Sequence, residues 1–535
     1  GRDYEGNLIT SIQANGEDFL GYAKDAKWGN QSVYVEATLN YNRTFGNKHA
    51  VNAMLLYNHK NFDDGSFLPF RTQGFAGRTS YTYDDRYVAE FNFGYNGSEN
   101  FAPGKRFGFF PAFSLAWNVA EEPLIKKRLP WLNMFKLRYS WGKVGNDKTG
   151  ANRFPYLYTI DFAKRGYNEI GYYWGSELAT KLTQGMHYTQ VASPNVTWEI
   201  ARKTDAGFDL IAFDNKFSLT MDYFYEKRTG IFMQRNFLPD ITGLESRPWA
   251  NVGAVKSSGF DGNFQYKDRI GEINWTVRGN ITYSKNTILE HDDENNVYAY
   301  QYEKGYRVKQ QRGLIAQGLF RDYDDIRNSP KQSWGAVQPG DIKYKDVNGD
   351  GVIDKGDYVA IGATSTPSLI YGLGASISWR GFDLNFHFQG AGKYTFLING
   401  STINAFSKGR WGNILKGVTD NRWISSDISG TKETENPNAA YPRLSYGSND
   451  NNEQPSTFWL RNGRFLRLKN LDIGYTMPKP WVNAIHLENV RIYISGQNLI
   501  TWSAFDLWDP ELDSDKRGEE YPITRSFTAG IQISL

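Results

Sequence analysis

The stretch "FDLNFHFQ", residues 382–389, sorts its side chains into two classes by parity. Phe382, Leu384, Phe386 and Phe388 fall on one side of an extended chain, and Asp383, Asn385, His387 and Gln389 on the other. Successive side chains of a strand point to opposite faces, so this segment presents one apolar and one polar surface. The last residues, "ITRSFTAGIQISL" at 523–535, do the same, with Ile523, Phe527, Ala529, Ile531, Ile533 and Leu535 set against Thr524, Ser526, Thr528, Gln532 and Ser534. Further sets follow the same rule: Val33/Val35/Ala37/Leu39/Tyr41, Tyr87/Ala89/Phe91/Phe93/Tyr95, Phe135/Leu137/Tyr139/Trp141, Phe217/Leu219/Met221/Tyr223/Tyr225, Ile273/Trp275/Val277/Ile281/Tyr283 and Tyr371/Leu373/Ala375/Ile377/Trp379. The residues between them include Glu36, Glu90, Arg138, Asp222 and Arg278.

Alternation alone also fits a soluble sandwich, so length and connection pattern decide. The segments run about 10–14 residues, longer than soluble strands and matched to a tilted crossing of a bilayer. Tight turns at "FGNK" (45–48), "YDDR" (83–86), "FDNK" (213–216), "DRIGE" (268–272) and "WRGF" (379–382) alternate with loops of unequal length. Short turns at one rim and long loops at the other predict an all-β, transmembrane antiparallel barrel with long extracellular loops. About fifteen strands are expected, from residues 32–45 to 523–535. If every tight turn is periplasmic, the first and last strands both descend, and bacterial barrels use even strand numbers, so earlier strands are expected to precede this chain. Aromatic residues near segment ends, among them Tyr83, Trp141, Tyr225, Trp379 and Trp502, suit interfacial girdles or plain strand packing.

Composition narrows the function. The 535 residues carry 34 Tyr, 34 Phe and 16 Trp but no cysteine, which excludes disulfides, thiolate metal sites and a cysteine nucleophile. A net charge of +3 without a basic run gives no electrostatic case for nucleic acid. No apolar run approaches a transmembrane helix, and the first residues do not read as a signal peptide. The six histidines are scattered, with neither HExxH nor GxSxG, so no enzyme chemistry is assigned.

One stretch stands apart. "DVNGDGVIDKGD", 346–357, has the spacing of a twelve-residue calcium loop without the flanking helices of an EF-hand. Asp346, Asn348, Asp350 and Asp357 are candidate side-chain ligands of Ca2+, with the Val352 carbonyl and Asp354, the latter through water, completing the set. The ion would be structural, stapling a loop without a core of its own. The alternative is an Asx/Gly turn whose carboxylates cap backbone N–H groups without an ion. "HDDEN" at 291–295 reads as a solvated acidic loop rather than a metal cluster. "GYYWG" at 171–175, with Trp249, Trp334, Trp411 and Trp423, offers flat faces for sugars or peptide side chains, or for packing loops together.

Five stretches, "GDIKYKDVNGDGVIDKGD", "SLIYGLGASISWRGFDLNFHFQG", "RFLRLKNLDIGYTMP", "VRIYISGQNLITWSAFDLWDPE" and "SFTAGIQISL", together with "FSLAWNVAEEP" and "LRYSWGKVGN" upstream, carry a resemblance. The chain resembles the C-terminal barrel portion of SusC/RagA-type TonB-dependent outer-membrane transporters. The resemblance implies about fifteen of the 22 strands of such a barrel, with plug domain and first strands absent from residues 1–535. It also implies lipid around the barrel in the bacterial outer membrane, a SusD-like lipoprotein lid, TonB acting through the missing N-terminal region, and import of an oligosaccharide or peptide ligand. A passive porin or surface adhesin barrel is the rival reading, and a soluble carbohydrate-active β-protein using the calcium loop a third. Leu535 departs from the terminal Phe common in such barrels.

Overall fold

A computed structural model describes residues 2–8, 29–65, 68–148, 153–161, 171–174, 181–184, 187–244, 246–398, 400, 402–406, 414–484, 486–512 and 520–534. Fifteen strands form one sheet in strict chain order, each antiparallel to its neighbours. They are Gln31–Phe45, His49–Asp63, Phe70–Tyr83, Tyr87–Ser98, Phe107–Asn118, Leu132–Asn146, Glu199–Ala212, Phe217–Gln234, Trp249–Ile270, Ile273–Glu290, Leu369–Trp379, Phe382–Gly392, Phe465–Thr476, Asn489–Ser503 and Ser526–Ser534. Every strand expected from the period-two pattern is present. Several run further than the pattern suggested, most of all Trp249–Ile270 at 22 residues.

The rim of tight turns has a local cause. Gly46 and Asn47, Asp84 and Asp85, and Arg380 and Gly381 all take positive φ. Paired left-handed residues twist the chain with the hand of the flanking strands, which is the geometry short hairpins need. Two connections at this rim, residues 119–131 and 477–488, are longer than the tight turns, and each carries a short helix, Pro123–Arg128 and Lys479–Asn483. At the opposite rim the connections 147–198, 291–368 and 393–464 are the long ones.

The two sheet faces separate as expected. Apolar side chains of the outer face stand free, with Ile531 65% exposed and Leu115, Phe91 and Ile494 also open. The inner face is polar and internally paired. Arg138 reaches Asp209 (Nε to Oδ2, 2.9 Å) and Asp222 (3.0 Å) across two strands. Arg78 holds Glu90 at 2.5 Å, and Arg491 holds Asp383 at 2.5 Å and also contacts Asp472. Gly207 makes room for this arrangement, since a Cβ there would lie 1.8 Å from Asp222 Oδ1.

Candidate functional site

Above the loop rim, the connections 291–368, 393–464 and 504–525 fold into one body around a shared apolar core. Leu314, Ile342, Tyr344, Ile353, Ile398 and Trp459 are each no more than 2% exposed. This corrects the expectation that the 346–357 loop lacks a core: its own Ile353 is fully buried in that cluster.

A buried polar hub threads this core. The Asp341 carboxylate, fully shielded from solvent, accepts the Gln338 N–H (2.8 Å), Asn449 Nδ2 (3.1 Å) and Asn452 Nδ2 (2.9 Å), and pairs with Arg443 Nε at 2.8 Å. Gln332 donates to the Ile342 carbonyl and to Asn451 Oδ1, and accepts the Tyr344 N–H. Tyr344 in turn donates its hydroxyl to the Asn451 carbonyl at 2.7 Å, and burial pushes its phenol far above the ordinary tyrosine range. A buried charge is tolerated only when its acceptor capacity is filled, and here four partners fill it. Asp341 and Ile342 open the "GDIKYK" stretch, which the sequence had presented only as the approach to the calcium-like loop.

The last loop is fastened to the sheet by Arg467, whose Nη2 lies 2.6 Å from Asp509 and whose Nη1 lies 2.5 Å from Glu511. Tyr394 adds a hydrogen bond to the Pro510 carbonyl at 2.8 Å.

In the 346–357 loop the side chains serve backbone N–H groups. Asp346 accepts those of Gly349 (2.6 Å) and Gly351 (2.9 Å), Asp350 that of Val352 (2.8 Å), and Asp354 that of Gly356 (2.6 Å). Asn348 donates Nδ2 to Asp350 Oδ2 at 2.9 Å. Asp357, fully buried, accepts the N–H groups of Val347 at 2.7 Å and Asp354 at 3.0 Å. Val352 and Ile353 pair in parallel with Lys331 and Gln332. Among the described residues no three acidic or histidine side chains converge as a metal-holding group. Burial, then the charge of Asp357, with smaller contributions from Tyr298, Asp350 and Asp346, raises the Tyr300 phenol above its ordinary range.

The remaining sequence candidates separate into packing and anchoring roles. Trp249 stacks on Phe232 with centroids 4.8 Å apart, and Trp334 packs on Tyr344 and Tyr358. Trp423, 6% exposed, belongs to the loop core. Trp411, Gly175 and the side chains of 171–174 lie outside the described residues. The 291–295 segment is not the solvated loop expected: Asp292 takes Arg235 and the N–H groups of Asn236 and Phe237, and Asp293 takes His291 and the Glu303 N–H. Although its burial opposes ionisation, those donors hold Asp292 below the usual aspartate range.

A cleft of about 500 Å³ opens where the two longest loops meet, lined by Arg321, Tyr323, Arg422, Trp423, Asp427 and Arg443 among others. A smaller one of about 280 Å³ lies at the barrel rim beside Tyr394 and Glu511.

No protein-family model matches the chain. It is 26% identical over 484 residues to TonB-dependent receptor P3 of Formosa agariphila, covering 86% of this chain and 45% of that protein. It is 23% identical over 476 residues to TonB-dependent receptor SusC of Bacteroides thetaiotaomicron, covering 86% and 43%. Its fold matches the RagAB peptide transporter with a TM-score of 0.71 at 18% identity, over 95% of this chain and 56% of that one. The chain thus spans about half the length of the relatives it matches. Sequence and fold agree on a barrel of SusC/RagA type, a protein of the bacterial outer membrane.

Proposed function

We propose that this chain supplies the C-terminal barrel wall and the surface loop body of a TonB-dependent importer. It works with a SusD-like surface lipoprotein lid to take up oligosaccharides or peptides. The observation that carries the reading is the division of labour along the sheet: one rim closed by tight turns, the other raised into a body with its own buried core. A passive porin needs only constricting loops, and an adhesin needs no polar, charge-paired inner face. Similarity to SusC, and in fold to a peptide transporter, supports import over both. Uptake of the cognate nutrient in cells with and without TonB tests it. Uptake that persists without TonB makes the protein a porin, and surface binding without uptake makes it an adhesin.

We further propose that residues 346–357 take a structural calcium ion, with Asp346, Asn348, Asp350 and Asp357, the Val352 carbonyl and Asp354 around it. The supporting observation is the twelve-residue spacing of oxygen-bearing side chains about Gly351.

A further inference from the structure

We infer that the outer face of the barrel holds an anionic phospholipid of the periplasmic leaflet. One acyl chain lies in a groove over Ala89, and the phosphate meets Lys127 and Arg128 of the rim helix Pro123–Arg128. The inference rests on the outer-membrane barrel and is independent of what the protein imports.

The groove follows from the sheet register. On the lipid side, Tyr81, Ala89, Leu115 and Tyr139 stand opposite one another across four neighbouring strands. Ala89 is the one small side chain of that row, so the large ones around it leave a trough of about 430 Å³, within the range of ligand sites. The next row toward the tight turns, Tyr87, Trp117 and Leu137, lines its periplasmic end. Its walls are already ordered: Tyr81 Oη lies 2.7 Å from His49 Nδ1, and Tyr87 stacks on Trp117. A bound chain therefore has little side-chain ordering left to impose.

Glu122 places the headgroup end. It immediately precedes the helix and accepts Tyr87 Oη at 2.5 Å and Trp117 Nε1 at 3.0 Å, so the helix starts at the end of the groove. At a rise of about 1.5 Å per residue, the whole helix stays within roughly 9 Å of that point. Leu124, Lys127 and Arg128 share one helix face, and all three are exposed. The acids that open this connection are taken, Glu122 by Arg86 at 2.9 Å and Glu121 by Lys126 at 2.7 Å. Among the described residues, Lys127 and Arg128 have no carboxylate within ion-pair distance. Just beyond them exposed Trp131 stacks on Phe213 with centroids 5.2 Å apart, an aromatic anchor at the same rim. Two unpaired cations beside apolar side chains, where tight turns meet the periplasm, match a leaflet surface with negative headgroups. A zwitterionic headgroup offers them a phosphate but sets an ammonium beside it.

The test is native mass spectrometry of the full-length protein in detergent with equal amounts of dioleoylphosphatidylglycerol and dioleoylphosphatidylethanolamine, which share their acyl chains. The wild type should retain the anionic lipid about thirtyfold more strongly, the effect of two cations near its headgroup. Lys127→Ala combined with Arg128→Ala should remove that preference, and Lys479→Ala on the rim's other helix should leave it. Ala89→Phe should weaken both lipids by filling the trough. Unchanged thermal unfolding establishes that each variant is folded. Equal retention of the two lipids by the wild type overturns the proposal, as does a preference that survives the double change or falls equally with Lys479→Ala. Retention of both lipids unaffected by Ala89→Phe overturns it by removing the groove. Dimers that dissociate on Ala89→Phe, with no lipid retained, overturn it in favour of a second copy of the chain on this face.

Discussion

Arg467 and Asp509 form a two-pronged contact, with Nη2 2.6 Å and 2.7 Å from the two carboxylate oxygens and the guanidinium fully buried. They are 42 residues apart in the chain, one on a strand and the other on the loop that precedes the final strand. Removing the acid leaves a buried cation with Glu511 alone. Asp509→Ala is therefore expected to destabilise the anchored loop by about 3 kcal/mol, the lower end for a broken buried pair because Glu511 remains. Protease cleavage within 504–512 of the full-length protein, followed in rising urea, measures it. Cleavage no faster than in the wild type would show that the loop is held by Tyr394 and packing instead.

The two faces of the sheet should respond differently to charge. Ile531→Lys places an ammonium on the outer face and should cost about 2–4 kcal/mol near the bilayer midplane. Asn385→Ser, on the polar inner face, should cost little. Urea unfolding from lipid vesicles compares them, and similar losses on both faces would contradict the assignment of lipid to the apolar side.

At the tight-turn rim, Glu122 gathers three donors: Tyr87 Oη at 2.5 Å, Trp117 Nε1 at 3.0 Å and Arg86 Nη1 at 2.9 Å. The hydrogen bonds from Tyr87 and then Trp117 hold its carboxyl below the ordinary glutamate range. This carboxylate holds aromatic side chains from neighbouring strands nearly parallel, Tyr87 and Trp117 at 9° with centroids 6.3 Å apart. Glu122→Gln, which keeps the shape and loses the charge, should lower the unfolding temperature less than Glu122→Ala. Equal effects would place the contribution in charge, not size.

Asp292 gives a pH dependence with a definite sign. Burial opposes ionisation, but Phe237 N–H, Arg235 and Asn236 N–H outweigh it and lower the folded-state pKa. The unfolded chain then takes up a proton at a higher pH, near 3.9, than the folded one. The stabilisation is present above about pH 4 and is lost as the pH falls through the depressed value. Wild-type protein should lose thermal stability between pH 5 and pH 3, and Asp292→Asn should lose less over the same interval. Parallel curves would show that other carboxylates account for the acid response.

What the sequence made legible was whatever two different solvents impose on one chain. A strand with lipid on one side and polar lumen on the other must alternate, and Phe382 to Gln389 records that directly. Tight turns were equally readable, since Arg380 and Gly381 need left-handed backbone. The loop body was not, because its core draws Leu314, Tyr344, Trp459 and Phe505 from three loops at no shared period. Asp341 shows the same limit. Its partners Arg443, Asn449 and Asn452 lie more than 100 residues away, so nothing local marks it as a hub. Between the two readings the sequence left for Trp423, ligand platform or loop packing, burial in the loop core selects packing, a choice the sequence could not make because an exposed and a buried indole are written with the same letter.

The 346–357 loop separates two roles by residue. Asp357 is fully buried and accepts the N–H groups of Val347 and Asp354, with a longer contact to Asn348 at 3.4 Å. Asp357→Ala should therefore cost about 2 kcal/mol whether or not calcium is present, because two part-buried N–H donors lose their acceptor. Asp350 is exposed and accepts the Val352 N–H and Asn348 Nδ2, so Asp350→Ala alone should cost about 1 kcal/mol without the ion. Calcium changes that ranking. Each carboxylate oxygen keeps a second lone pair after accepting a backbone N–H, so the turn and a bound ion are compatible. Closure by Asp357 rather than a glutamate places the affinity near the 10⁻⁴–10⁻³ M of extracellular modules. Calorimetry on the full-length protein at millimolar calcium should register binding that Asp350→Ala abolishes, together with a rise in unfolding temperature in the wild type only. Neither heat nor a shift would leave the loop as an Asx turn fastened by Asp357 alone.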